Sequence, residues 1–351
     1  MLCAIFKGPY DFAIEERPLP VPAPGQAVVR IMAAGICGSD LPPYQGRDMV
    51  RRQPGIIMGH EAAGVVCAVG ANVPDWRAGD RVAINPQIYC GTCPNCLSGR
   101  RNLCDRMLLI GSSKRKFLDG AMCQYMAISA RQLVRLPAAV SYSAGALLDP
   151  AGNAFRVVRR AGVGLGQTVA VIGCGAIGLM VIQAARLSGA RRVIAVNRSP
   201  ERLPRAASLG ADPVLCSGGE RDAAADILAV TDGQGADVVI DAAGSAKTYE
   251  LAVRSCRKQG TVIALGYTDP SIAFPMTDLI FKEIRLLGCT GFADEQPLVL
   301  DYLAQGLLRS EPVLTHHFPL TAVKKAFDCL LDPSSGAIKV MLHPHPEGEE
   351  N

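Results

Sequence analysis

Aromatic side chains make up only 5% of this 351-residue chain, and Trp76 is its single tryptophan. That is too few for a surface that stacks single-stranded nucleic acid. A strong excess of one charge is missing too. The 36 Lys and Arg and 32 Asp and Glu leave a formal charge of +4, with both signs mixed along the chain. Phosphate backbones call for a basic stripe, so no nucleic-acid partner is expected. Long apolar runs are also lacking. The longest are interrupted by glycine and fall short of the roughly 20 residues that span a bilayer, so no membrane partner is expected. The opening MLCAIFKGPYDF holds no basic stretch followed by an apolar run. We therefore expect no export signal and a cytoplasmic protein.

Cysteine, by contrast, is plentiful. Thirteen are present, an odd number that argues against a disulfide framework and for thiolate ligands. Hydrophobic residues make up 49%, enough at this length for two domains with a large core. Four cysteines are spaced Cys90-x2-Cys93-x2-Cys96-x7-Cys104, with Gly91, Pro94 and Gly99 as turn formers. Four thiolates fill tetrahedral Zn²⁺ and leave no open position, which describes a structural site. A redox pair needs only two cysteines in a thioredoxin-like setting, and iron–sulfur binding is the other competitor. Cys3, Cys67, Cys123, Cys174, Cys216, Cys256, Cys289 and Cys329 sit among apolar or small neighbours and read as small buried hydrophobes.

Cys37 stands apart in ICGSD (36–40), and His60 and Glu61 follow in GHE (59–61). A thiolate, an imidazole and a carboxylate suit a zinc with an open position, a Lewis acid for an oxygen-bearing substrate. In isolation, a Cys and a His in apolar surroundings are core residues more often than ligands. Ser39 and Asp40 lie just beyond the thiolate. Asp149 is an acid in the apolar stretch ALLDPAG, costly there unless paired or bound to metal. Lys114-Arg115-Lys116 reads as a solvated loop or as a lid that meets an anionic substrate group. Trp76 reads as packing, and His316 and His317 as edge-strand residues without a catalytic role.

The first third is β-rich and turn-rich. Residues 27–32, 61–70 and 80–84 read as strands of a partly closed body. Then TVAVIG (168–173), an apolar run after its first residue, leads directly into Gly173-x-Gly175-x-x-Gly178 and the helical LMVIQAARL. In this strand–turn–helix setting every glycine is needed, one for the tight turn, one for backbone approach to a pyrophosphate and one for helix–strand contact. The next strand, RRVIAV, ends at Asn197-Arg198, with Arg202 one turn later. An acid there would accept from the ribose 2′-OH; arginine can pair with a 2′-phosphate. The pattern leans to NADP over NAD, unless Arg198 simply faces solvent. Strand-like ADVVIDAAG (236–244), GTVIALGY (260–267) and FKEIRLLGCTG (281–291) complete a doubly wound sheet. Beyond it come a helix, strand-like LTHHFPL, a second helix, a last strand and a fraying HPEGEEN.

ICGSD, GHE, the four-cysteine lobe, GDRV and GCGAIG, in that order, resemble the zinc-dependent medium-chain alcohol and polyol dehydrogenases. The sorbitol and threonine dehydrogenase branch is the nearest large group. CGSDL, VAINP, the long loop from IGS to DGA, and FPMTDLIFKEIRLLG are similar to L-idonate 5-dehydrogenases; galactitol-phosphate dehydrogenases share CGSDLP. The resemblance implies an α/β protein: a β-rich, distorted-barrel (GroES-like) catalytic domain plus a doubly wound Rossmann domain. Residues 1–152 and 289–351 would form the first, with the lobe at 89–104. Residues 153–288 would form the second, with the active site in the cleft. It implies two zinc ions per chain and NADP or NAD as cofactor. Cys37, His60 and Glu61 match catalytic-zinc positions. Asp149 falls where polyol enzymes carry a Glu, one methylene longer. Ser39 matches the hydroxyl that bonds the substrate's reacting oxygen. Ile177, Asn197, Arg202, Leu265 and Thr290 match cofactor-lining positions. Pro42 stands where many relatives carry a proton-relaying His, so protons must leave through Ser39, a cofactor hydroxyl, water or Glu61. The expected reaction moves a hydride between a secondary alcohol of a sugar acid or polyol and NAD(P), in a homodimer or homotetramer. The rivals are a polyol phosphate, threonine or other secondary-alcohol substrate, and an inactive cofactor-binding relative.

Overall fold

The structure, a computed structural model, describes residues 1–219, 221–268 and 271–345. Apart from His345, the HPEGEEN tail lies outside the described residues. The chain forms two compact units: Met1–Asp149 with Gln296–Gly306 and Leu314–Asn351, and Pro150–Glu295 with Leu307–Val313.

The first unit is organised around the strand Gln26–Gly35, buried along most of its length. One edge of this strand is shared. Gln26–Arg30 pairs with Tyr125–Ser129, and Ala34 and Gly35 pair with Leu342 and Met341 of the strand Lys339–His343. Glu61–Val69 follows the other edge, with Glu61 opposite Gly35. Arg81–Ile84 and Leu133–Arg135 extend the sheet on one side, and Leu314–Pro319 closes it on the other. The chain's last described strand thus returns into the N-terminal sheet. Phe6, Ile31, Tyr44, Met58 and Phe327 are fully buried between these layers, each contributing about 1.5–3 kcal/mol of apolar burial. Trp76 packs against this core, and the Arg135 guanidinium lies 4.7 Å from its ring centre.

The second unit holds a six-stranded parallel sheet. Its order is Val214–Cys216, Arg192–Asn197, Thr168–Ile172, Ala236–Asp241, Cys256–Ala264, Arg285–Gly288. Strand order reverses between Thr168–Ile172 and Ala236–Asp241, the point where such sheets take ligands at their carboxyl ends. Thr168–Ile172 is buried throughout, as a covered parallel strand requires. The fold is therefore α/β, a GroES-like body plus a doubly wound sheet. Some ends differ from expectation. The strand read as 260–267 runs from Cys256 to Ala264, and the one read as 236–244 stops at Asp241.

Among the described residues, no helix is long and apolar enough to cross a membrane. All thirteen cysteines are free. Of those read as buried hydrophobes, Cys3, Cys123, Cys174 and Cys256 are buried, whereas Cys216, Cys289 and Cys329 are half-buried. Cys67 is exposed, because the last three residues of its strand face solvent.

Candidate active site and metal centres

Cys37 follows the end of Gln26–Gly35, and His60 leads into Glu61–Val69. The register of these neighbours brings them together. One donor atom each from Cys37, His60 and Glu61 lies within 4.8 Å of the other two. Gly35 makes room for this: a Cβ there would stand 2.4 Å from Glu61 Oε2. Gly59, at φ +93°, turns the chain into His60 in a conformation that other residues rarely adopt. Ser39 is half-buried in the 3₁₀ turn Gly38–Asp40, directly after the thiol. Asp149 stands outside the convergent trio. Burial pushes its carboxyl up to about 6; His60 opposes this and Glu61 adds to it. Pro42 and Pro43 open the short helix Leu41–Tyr44, where a missing N–H costs nothing.

Two charged residues that the sequence did not single out complete the site. Lys339, buried in the returning strand, donates to Glu61 Oε1 and Oε2 at 2.8 and 2.7 Å and to the Ile36 carbonyl at 3.0 Å. Burial opposes its charge, but Glu61 and Cys37 outweigh that and raise its pKa above the usual lysine value. Arg52 is fully buried and holds Asp40 Oδ1 through Nε at 3.1 Å and Nη2 at 2.8 Å. Burial disfavours the Asp40 carboxylate; Arg52 and then His60 overcome it and keep its pKa below the usual range. The other Asp40 oxygen accepts the Cys37 N–H at 3.2 Å. His60 Nδ1 faces this pair, 3.4 Å from Arg52 Nη2 and 3.8 Å from Asp40 Oδ1. That leaves Nε2 as the nitrogen for a metal. Desolvation and the Glu61 charge push the Cys37 thiol up to about 12. A cation held there reverses both effects, so this donor set fits a zinc ion.

The four-cysteine lobe fits one as well. The Sγ atoms of Cys90, Cys93, Cys96 and Cys104 lie within 4.8 Å of one another. Backbone amides point at sulfur. Thr92 and Cys93 donate to Cys90 Sγ at 3.4 and 3.3 Å, and Cys90 and Arg106 donate to Cys104 Sγ at 3.3 and 3.4 Å. The Thr92 amide, followed by that of Cys93, pulls the Cys90 thiol down to about 5, while burial pushes Cys96 up to about 12. Four sulfurs so close cannot all ionise without a cation among them. Gly91 and Gly99, at φ +76° and +79°, supply the turns. Arg115 donates to the Asp105 and Met107 carbonyls at 2.7 and 3.3 Å, so it braces this lobe. All three residues of the basic triplet are exposed, and among the described residues no such bond is seen for the Lys114 and Lys116 side chains.

In the second unit, Gly173 (φ +97°) turns the chain out of its strand, and Gly175 caps the 12-residue helix Ala176–Leu187. A Cβ on Gly178 would lie 1.8 Å from the Gly173 carbonyl oxygen, whereas one on Gly175 would meet nothing within 4 Å. The turn is therefore closed beneath and open above, at the positive end of a helix, which suits a pyrophosphate. Asn197 Oδ1 accepts the Cys174 N–H at 3.0 Å, and its amide donates to the Ser199 carbonyl at 2.8 Å. Asn197 thus ties the turn to the end of the neighbouring strand. Arg198 is exposed and Arg202 half-buried beside it. Ile177 lies in the first turn of the helix, while Leu265 and Thr290 follow the next strands, so all share the sheet's carboxyl edge.

A cradle of this kind, in one chain with two metal-type donor sets, defines a metal-dependent oxidoreductase that uses a dinucleotide. Comparison with known proteins agrees. Residues 23–138 match the alcohol dehydrogenase GroES-like domain, and residues 176–305 match the zinc-binding dehydrogenase family. Sorbitol dehydrogenase of Bacillus subtilis is 31% identical over 349 residues, covering 98% of each chain. L-idonate 5-dehydrogenase of Vitis vinifera is 33% identical over 93% of this chain and 90% of its own. The solved L-idonate 5-dehydrogenase of Escherichia coli superposes with a TM-score of 0.87 at 28% identity, covering 97% of this chain and 97% of its own. The chain belongs to the zinc-dependent medium-chain alcohol and polyol dehydrogenase family, whose members are oxidoreductases.

Proposed function

We propose that this protein oxidises a secondary hydroxyl of a sugar acid or polyol to the ketone, in the manner of an L-idonate 5-dehydrogenase. The convergence of Cys37, His60 and Glu61 carries the proposal. Cys37, His60 and one carboxylate would hold the catalytic zinc, and Cys90, Cys93, Cys96 and Cys104 the structural one. When bound, zinc supplies a Lewis acid for the hydroxyl oxygen, and the nicotinamide supplies the hydride acceptor. The Ser39 hydroxyl, beside the thiolate, takes the substrate's proton and passes it on. Glu61 is the poorer base, because both its oxygens are committed to Lys339. Asp149, nearby and partly neutral around pH 6, is the second carboxylate available to the metal. Exposed Lys114 and Lys116 favour an anionic substrate, which keeps a polyol phosphate as the second reading. An activity panel of sugar acids, polyols and polyol phosphates tests this. Turnover of uncharged polyols above every anionic substrate would remove the role given to the basic loop.

The domains would run 1–152 with 289–351, and 153–288. Gly173, Gly175, Ile177, Gly178, Asn197, Leu265 and Thr290 would line the dinucleotide. Arg198, with Arg202, would pair with a 2′-phosphate and favour NADP over NAD. Arg198→Ala should then raise KM for NADP about tenfold, the loss of one charge-assisted pair, with KM for NAD unchanged. Equal effects on both cofactors in steady-state assays would count against NADP preference.

A cytoplasmic homodimer or homotetramer is the proposed assembly. Among the described residues, Arg285–Gly288 ends its sheet with a free edge. In the helix Met276–Phe281, which precedes this strand in the chain, Met276, Ile280 and Phe281 are 55%, 60% and 79% exposed. A free strand edge and exposed apolar side chains each invite a second copy. Ile280→Asp combined with Phe281→Asp should yield a folded monomer by light scattering. An unchanged mass would refute this interface.

A further inference from the structure

We infer that Arg52 is a positioning residue of the metal centre: its buried guanidinium fixes Asp40, and Asp40 in turn orients the His60 ring for the metal. The inference rests on the proposed zinc site at Cys37 and His60. Arg52 comes from the loop after the short helix Leu41–Tyr44, yet its side chain is fully enclosed, as is that of Asp40. Its donors are used in two directions. Nε and Nη2 converge on Asp40 Oδ1, and Nη1 returns to the Arg51 carbonyl at 3.1 Å. The guanidinium is therefore locked to its own backbone and to one carboxylate oxygen. The second oxygen takes the Cys37 N–H. One carboxylate thus touches the backbone of the thiol ligand and faces the ring of the imidazole ligand.

The chemistry of the ring sets the direction of the argument. A metal on Nε2 leaves Nδ1 as the N–H of a neutral imidazole. Arg52 Nη2 is closer to Nδ1 but has only protons to offer, so of the two groups facing Nδ1–H the acceptor is Asp40 Oδ1. That oxygen lies 3.8 Å from Nδ1, on the side of the ring that faces the ion pair. Arg52 is what keeps this oxygen in place, through two bonds between fully enclosed side chains. A merely structural ion pair would matter for folding and leave metal binding alone.

The test compares Arg52→Lys, Arg52→Met and the neutral pair Arg52→Met with Asp40→Asn, using Cys37→Ser as reference. Zinc per chain is measured after dialysis against a chelator, and zinc release is followed with a colorimetric chelator. Thermal midpoints are read on metal-free protein. Arg52→Met strands a buried carboxylate and can unfold; the neutral pair removes that carboxylate and keeps the test open. The neutral pair should fold, yet release its second zinc about 10–100-fold faster than wild type, the usual effect of losing a partner of a histidine ligand. It should end near the zinc content of Cys37→Ser, with Arg52→Lys between the extremes. A folded neutral pair that releases zinc at the wild-type rate overturns the positioning role. If Cys37→Ser keeps as much zinc as wild type, the zinc site itself is wrong, and the inference falls with it.

Discussion

Cys37→Ser lowers turnover by about a thousandfold or more, because a Lewis acid supplies several kcal/mol of charge stabilisation and each 1.4 kcal/mol is tenfold in rate. Nicotinamide binding should stay within about twofold of wild type, since a hydroxyl-for-thiol change at Cys37 leaves the glycine turn and its helix untouched. The reason is that the two functions sit on separate units. The thiol belongs to a sheet built around Gln26–Gly35, whereas the glycine turn belongs to the parallel sheet of the other unit. Steady-state rates together with a fluorescence titration of the reduced cofactor read both quantities from one preparation. Full activity in the variant would remove zinc from Cys37. Equal loss of activity and cofactor binding would point to misfolding.

Lys339→Met has the larger effect on stability. A buried ion pair adds little over an apolar pair of the same size, but removing one partner strands the other and costs about 3–5 kcal/mol. Here the stranded group is Glu61, 1% exposed and without its two short bonds to Nζ. The unfolding midpoint of the metal-free protein should fall on the order of 10 °C. Zinc changes this result in an informative way. A cation beside Glu61 replaces the lost ammonium and binds only the folded form, so the deficit should shrink when zinc is present. Calorimetry with and without zinc measures both. The same deficit in the two conditions would mean that Glu61 does not face the metal.

The sequence made much of this site legible because its chemistry is local. Cys90, Cys93, Cys96 and Cys104 are close in the chain, and turn glycines between them leave few ways to arrange four sulfurs. The glycines 173, 175 and 178 are likewise read from one strand–turn–helix. Cys37, His60 and Glu61 needed more, since only the pairing of Glu61 with Gly35 brings them together. Lys339 escaped notice although it left a trace, a lysine inside the apolar AIKVML. Its partner lies 278 residues away, and nothing in the pattern names that partner. Arg52 left no trace, because MVRRQPG looks like any solvated loop. Asn197 was read for the charge it lacks, as a clue to the cofactor. In the fold it also braces the glycine turn through the Cys174 amide, a role that periodicity does not encode. The basic triplet divided once the lobe was visible, with Arg115 bound to lobe carbonyls and the two lysines left outward.

Zinc content per chain, measured on purified active protein and on Cys37→Ser in parallel, tests the central claim most directly. Two filled donor sets predict about two zinc ions in the wild type and about one in the variant, with activity lost alongside the second ion. About one zinc in both, with turnover unchanged, would contradict a catalytic metal at Cys37, His60 and Glu61.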